Sequence, residues 1–104
     1  MTEAAGEFIV ILTPVRTGLV VEGPLPEEMP VLAAHLAWLE QMAADGHLVL
    51  AGRTQEASPT TFGIVILRAE GIEQAQAYAR QDPAVAGGLM HIQVRPFRIA
   101  VRGA

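Results

Sequence analysis

Residues Val31 to Gly52 read Val-Leu-Ala-Ala-His-Leu-Ala-Trp-Leu-Glu-Gln-Met-Ala-Ala-Asp-Gly-His-Leu-Val-Leu-Ala-Gly. This stretch sets the architecture: a helix that stops at Gly46, followed at once by a short strand. Leu32, Leu36, Leu39, Met42 and Ala43 recur at three- and four-residue steps, the spacing of one face of a helix. His35 falls on that face, three residues after Leu32 and four before Leu39. The spacing therefore places an imidazole among leucines, turned toward whatever this helix packs on. Gly46 suits the left-handed residue after a helix end, and His47-Leu48-Val49-Leu50-Ala51 makes a strand that closes at Gly52.

Upstream, Met1 to Gly6 reads as a short lead-in. Glu7 to Thr13 is a β-branched, apolar strand stopped by Pro14. Val15 to Glu22 is ambiguous between an ordered loop and a hairpin turned at Thr17-Gly18 into Leu19-Val20-Val21. Gly23-Pro24-Leu25-Pro26 then punctuates the chain. Glu27 and Glu28 suit a helix first turn, where the backbone dipole favours negative charge. Pro30 must also lie within that first turn.

Downstream, Arg53 to Thr60 is a polar loop and Thr61 to Leu67 a third strand. Gly71 to Arg80 is a shorter helix with Ile72, Ala75 and Ala79 inward. Asp82-Pro83 follows, then a tight connector over Ala84 to Gly88. Leu89 to Arg102 reads as a long last strand, with Met90, Ile92 and Val94 inward, then Phe97, Ile99 and Val101. That change of parity predicts a bulge near Arg95-Pro96. The order βαββαβ predicts a ferredoxin-like α+β fold: one domain over residues 1–104, a four-stranded antiparallel sheet with two helices on one face.

The 104 residues are 51% hydrophobic and 17% charged, with a net charge of −4. An average domain carries roughly 25% charge, so a small domain this poor in charge is expected to hide surface against another subunit. The strands point the same way. Phe8, Val10 and Leu12 alternate with Ile9 and Ile11, and Phe62, Ile64 and Ile66 alternate with Val65 and Leu67, so both faces of the sheet are apolar. Two helices cover one face; a second copy is the expected cover for the other, giving a homodimer of packed or barrel-like sheets.

All seven basic residues are arginines, scattered from Arg16 to Arg102, and no basic stripe points to nucleic acid. Cysteine is absent, which removes disulfides, thiol catalysis and thiolate metal sites and fits a cytoplasmic location. Acidic residues in Met1 to Glu7 stand where a signal peptide needs basic ones. No apolar run approaches the roughly 18 residues of a membrane span. No His-x-His, His-Glu-x-x-His or carboxylate cluster points to a metal, and no cofactor is expected.

Four side chains are candidates for chemistry. His35 is either a core histidine held by one hydrogen bond or a proton-transfer group. Asp82 is either the N-cap of a turn begun by Pro83 or a rigid carboxylate aimed at that imidazole. Together they would form an acid–base pair working near neutral pH. Arg53, at a strand end, is a solvated loop arginine or an anchor for an anionic substrate. His91 has the outward parity of the last strand and could line a pocket on the sheet face. His47 is expected at the surface, and Trp38 and Tyr78 in core or dimer packing.

His-Leu-Ala-Trp-Leu at 35–39, Gly46 to Gly52, Asp82-Pro83-Ala84-Val85-Ala86-Gly87-Gly88-Leu89 and Arg95-Pro96-Phe97 together resemble the YciI-like (YCII-related domain) family, over Phe8 to Val101. The resemblance implies the dimeric α/β-barrel group, similar to muconolactone isomerases, and a catalytic pair carried over onto His35 and Asp82. Many members have an arginine three residues before the histidine; here that position is Leu32, which makes the pocket more apolar or leaves the charge to Arg53. The function so implied is cofactor-free acid–base catalysis on a small cyclic or aromatic compound, by an isomerase or lyase such as a dehydrochlorinase. The alternative is a non-catalytic dimer that binds a small ligand or another protein. A cofactor-independent monooxygenase is a third reading.

Overall fold

A computed structural model describes residues 5–103. Strand β1 spans Gly6–Pro14, and a short helix α1 covers Gly18–Val21. A single 3-10 turn over Pro26–Glu28 leads directly into the long helix α2, Met29–Ala44. Strands β2 (Leu48–Arg53) and β3 (Gly63–Ala69) come next. Helix α3 (Ile72–Gln81), the one-turn helix α4 (Pro83–Ala86) and strand β4 (Met90–Phe97) complete the chain. The sheet order is β2-β3-β1-β4, with every neighbouring pair antiparallel. This is the ferredoxin-like arrangement that the element order predicts. Of the lead-in read over residues 1–6, the first four lie outside the described residues, and Gly6 already belongs to β1.

The core lies between one sheet face and the two long helices. Phe8, Val10 and Leu12 of β1 and Val65 and Leu67 of β3 are buried there, against Met42 of α2 and Ala75 and Ala79 of α3. Full burial of each large aliphatic side chain is worth about 1.5–3 kcal/mol. The alanines of α3 let its backbone approach the sheet closely.

Helix α2 faces inward differently from the expectation. Leu36 is exposed, as is Ala43, whereas Val31, His35, Trp38, Leu39 and Met42 form the covered stripe. The helix is apolar nearly all round, so periodicity by itself does not select the face; packing of Trp38 and Leu39 against the core cluster does.

Other expectations change as well. The ambiguous segment after β1 is the helix α1, not a hairpin strand; Arg16 organises it. Its guanidinium donates to both carboxylate oxygens of Glu28, at 3.0 and 2.6 Å, and to the carbonyl of Gly23. Glu28 also accepts from the Leu25 N–H at 2.7 Å, fixing the turn that enters α2. The last strand ends at Phe97 and runs through Pro96 without a register shift, pairing Phe8 with Pro96 and Glu7 with Phe97. The bulge expected near Pro96 is therefore absent. Strand β4 is an edge strand, where a proline removes no needed donor, and Ala5, which would stand opposite Ile99, lies outside β1. The irregularity in the sheet is instead in β2, between Leu48 and Leu50.

On the face away from the helices, Ile9, Leu50, Ile64 and Ile66 form an apolar floor. Residues 97–103 run along it, leaving a hollow of about 710 Å³. Ile66 is buried, while Leu50 and Phe97 are exposed and Val101 is 87% exposed.

Candidate active site

Helix α3 stops where proline must follow. Pro83 disfavours helical backbone in the residue before it, and Asp82 accordingly has φ −59° and ψ 122°. The chain turns there, and Pro83 opens α4 at its first position. Asp82 Oδ1 accepts the N–H of Ala84 at 2.9 Å, so the residue is a true N-cap. The same carboxylate meets His35: Nδ1 lies 2.7 Å from Oδ1 and 2.9 Å from Oδ2. The capping role and the pairing role, alternatives in the sequence, hold together in the fold.

The pair is asymmetric in exposure. The Asp82 side chain is 2% exposed and that of His35 22%. An ionised carboxylate can only accept, so the imidazole proton sits on Nδ1 and Nε2 carries the lone pair of the neutral ring. Nε2 has no hydrogen-bond partner among the described residues. The arrangement can therefore take up a proton at Nε2, with Asp82 stabilising the resulting imidazolium.

Close packing holds the two elements together. A β-carbon on Gly87 would lie 2.8 Å from the Pro83 carbonyl oxygen and 3.1 Å from Val31 Cγ1. Glycine at this position thus lets the end of α4 sit against the first turn of α2. At the other end of α2, Gly46 takes φ +83° and turns the chain into β2.

The remaining candidates take no part in the His35–Asp82 hydrogen bond. Arg53 pairs with Gly63 at the end of β2 and is exposed, its guanidinium donating to the Thr54 carbonyl at 3.3 Å. His91 pairs with Thr13 on the side of β4 opposite Met90, Ile92 and Val94. The sheet lies between it and the His35–Asp82 pair. Leu32 is half-buried on α2. His47 is half-buried and tilted against the Tyr78 ring, with centroids 4.8 Å apart, rather than at the open surface. Among the described residues no three His, Cys, Asp or Glu side chains gather where they could hold a metal ion. The stacking of His47 on Tyr78 joins residues far apart in sequence and has no local signal.

An α+β domain of ferredoxin-like topology, with a histidine from the long helix held by an Asp-Pro turn, is the class that fold and side chains define. The profile of the YCII-related domain matches residues 8–98, and the chain belongs to that family. It is 37% identical over 82 residues to Protein YciI of Escherichia coli and, equally, of Shigella flexneri, covering 71% of this chain and 84% of the relative in each case. Among solved structures it shares its fold with a 5-chloro-2-hydroxyhydroquinone dehydrochlorinase from Burkholderia phenoliruptrix AC1100, in complex with 2,5-dihydroxybenzoquinone. The TM-score is 0.62, with 22% identity, over 88% of this chain and 93% of the other.

Proposed function

We propose that the protein is a cofactor-free acid–base enzyme acting on a small cyclic or aromatic metabolite, with His35 as the proton-transfer group and Asp82 as its orienting partner. The observation that carries this reading is the contact of a buried carboxylate with Nδ1 of a partly exposed imidazole, leaving Nε2 unpartnered. Neutral Nε2 takes a proton from an acidic C–H or O–H of the ring, and Asp82 offsets the charge that develops on the imidazolium. In an isomerisation the proton returns to another atom of the substrate. In an elimination a halide leaves with the bonding electrons and the net loss is hydrogen halide. The dehydrochlorinase neighbour makes that second reaction the first to assay.

The test is turnover of chlorinated hydroxyhydroquinones, followed by chloride release and by deuterium exchange from solvent. His35→Ala and Asp82→Asn are each expected to lose about 10²-fold or more of activity. The amide introduced by Asp82→Asn retains an oxygen to cap Ala84, so the melting temperature of that variant is expected to stay close to that of the parent. Unchanged turnover in either variant overturns the reading.

The second reading, a non-catalytic dimer that binds a small ligand or another protein, is favoured by the apolar sheet face, where Leu50, Phe62 and Phe97 are each 39–49% exposed. His91 has the parity of that face and would meet a ligand there. A homodimer closed through this face accompanies both readings. So does a cytoplasmic location, which is supported by the cysteine-free composition; no described helix is long and apolar enough to cross a membrane.

A further inference from the structure

The irregularity in β2 has a chemical consequence at the end of the strand. Leu48 pairs with Leu67 on the helix-covered face, but after the shift Leu50 pairs with Ile66 on the opposite face. Parity is thereby moved by one, as a bulge moves it. Ala51, paired with Val65, returns to the helix side, and so does Arg53, paired with Gly63. Without the shift Arg53 would project from the bare face of the sheet.

Arg53 stands at the rim of the sheet: on the helix side it borders a hollow of about 190 Å³ with Leu12, Val65 and Leu39 of α2, and on the other side one of about 350 Å³ with Leu50, Phe62 and Ile64. Leu39 lies one helical turn, about 6 Å, beyond His35 on the same stripe. Because α2 turns back into β2 at Gly46 and packs on it, its His35 half and the Arg53 end of β2 lie toward the same end of the two elements. The opposing residue, Gly63, has no side chain to fill the mouth; a β-carbon there would be 3.3 Å from the Gly52 carbonyl oxygen. Among the described residues no carboxylate pairs with Arg53. A guanidinium that no described carboxylate neutralises, beside an apolar hollow, is suited to a planar anionic oxygen group. The volume suits one six-membered ring with its substituents, given that a cavity of about 150 Å³ admits benzene.

We propose that Arg53 is the anion anchor of the His35–Asp82 site and that its ligand is a single ring bearing an ionised oxygen group, seated between Leu39 and the end of β2. This deepens the acid–base reading and rests on it for the identity of the site. Binding of the anion, however, is measurable without turnover.

The experiment titrates the full chain with 2,5-dihydroxybenzoquinone, which is anionic at neutral pH, and with its neutral dimethyl ether. Each is followed by calorimetry and by shifts of the His35 ring resonances. Arg53→Gln is exposed and is expected to fold as the parent does. It should weaken binding of the anion about tenfold or more, while leaving binding of the neutral ether unchanged, since only the anion loses a hydrogen bond between two charged partners. In the parent, the anion should shift the His35 resonances. Equal affinity of parent and Arg53→Gln for the anion, equal loss for both ligands, or no binding of the anion by the parent would overturn the proposal. His35→Ala separates the two readings: it should abolish proton exchange while keeping the preference for the anion. An Arg53-dependent anion site with exchange undiminished in His35→Ala would leave the anchor standing and sink the acid–base role.

Discussion

At Asp82 one oxygen serves two partners, accepting from the Ala84 N–H and lying 2.7 Å from His35 Nδ1. The cap holds the carboxylate independently of the histidine, so little freedom is lost in making the pair. Glu28 is treated similarly at the entrance to α2. The Arg16 guanidinium, and then the Leu25 N–H, hold its carboxyl below the usual range, and Arg16 is raised in return. A carboxylate whose value is lowered by folding stabilises the native state above its ordinary value of 4.5, and that contribution is lost as pH falls through the lowered one. The parent is therefore expected to lose stability on acidification below about pH 4.5 more steeply than Glu28→Gln. Urea unfolding at several pH values, with parallel slopes for the two chains, would show the ion pair to be unimportant.

Among the elements, the single turn of α4 is the most consequential, because it carries the cap, the proline and the glycine that seat it on α2. Gly87→Ala would press a methyl group against the Pro83 carbonyl and Val31. The expected cost is about 1–3 kcal/mol, with α4 pushed away from α2 and the His35–Asp82 contact lengthened. A lower melting temperature together with reduced turnover is the expected result. An alanine variant with parental stability would mean that α4 has room the packing does not show. In β2, the bulge between Leu48 and Leu50 re-aims Arg53 in the same manner, with a local change of register deciding which face a side chain meets.

At the scale of the whole molecule, the helices cover one sheet face and the run after Phe97 covers only part of the other. Leu50 and Phe97 are exposed on that second face, and Phe62 beside it. Sedimentation at micromolar concentration is expected to show a dimer, and Leu50→Glu to dissociate it by placing a charge in the apolar seam. A monomeric parent would remove the second copy from the reading while leaving the His35–Asp82 contact intact, since that contact lies within one chain.

The sequence by itself determined the strand and helix order, the stop at Gly46, the inward alanines of α3 and the pairing of His35 with Asp82 as candidates. These follow from local causes: side-chain period, glycine and proline punctuation, and the motifs shared with the family. Only the tertiary structure decided which face of α2 turns inward, because a helix apolar on nearly every side gives no periodic answer. It also decided the end of β4 at Phe97, since a strand extends only as far as its neighbour can pair with it. The side of the sheet that Arg53 occupies was settled by the register between β2 and β3, and register is a property of two strands together.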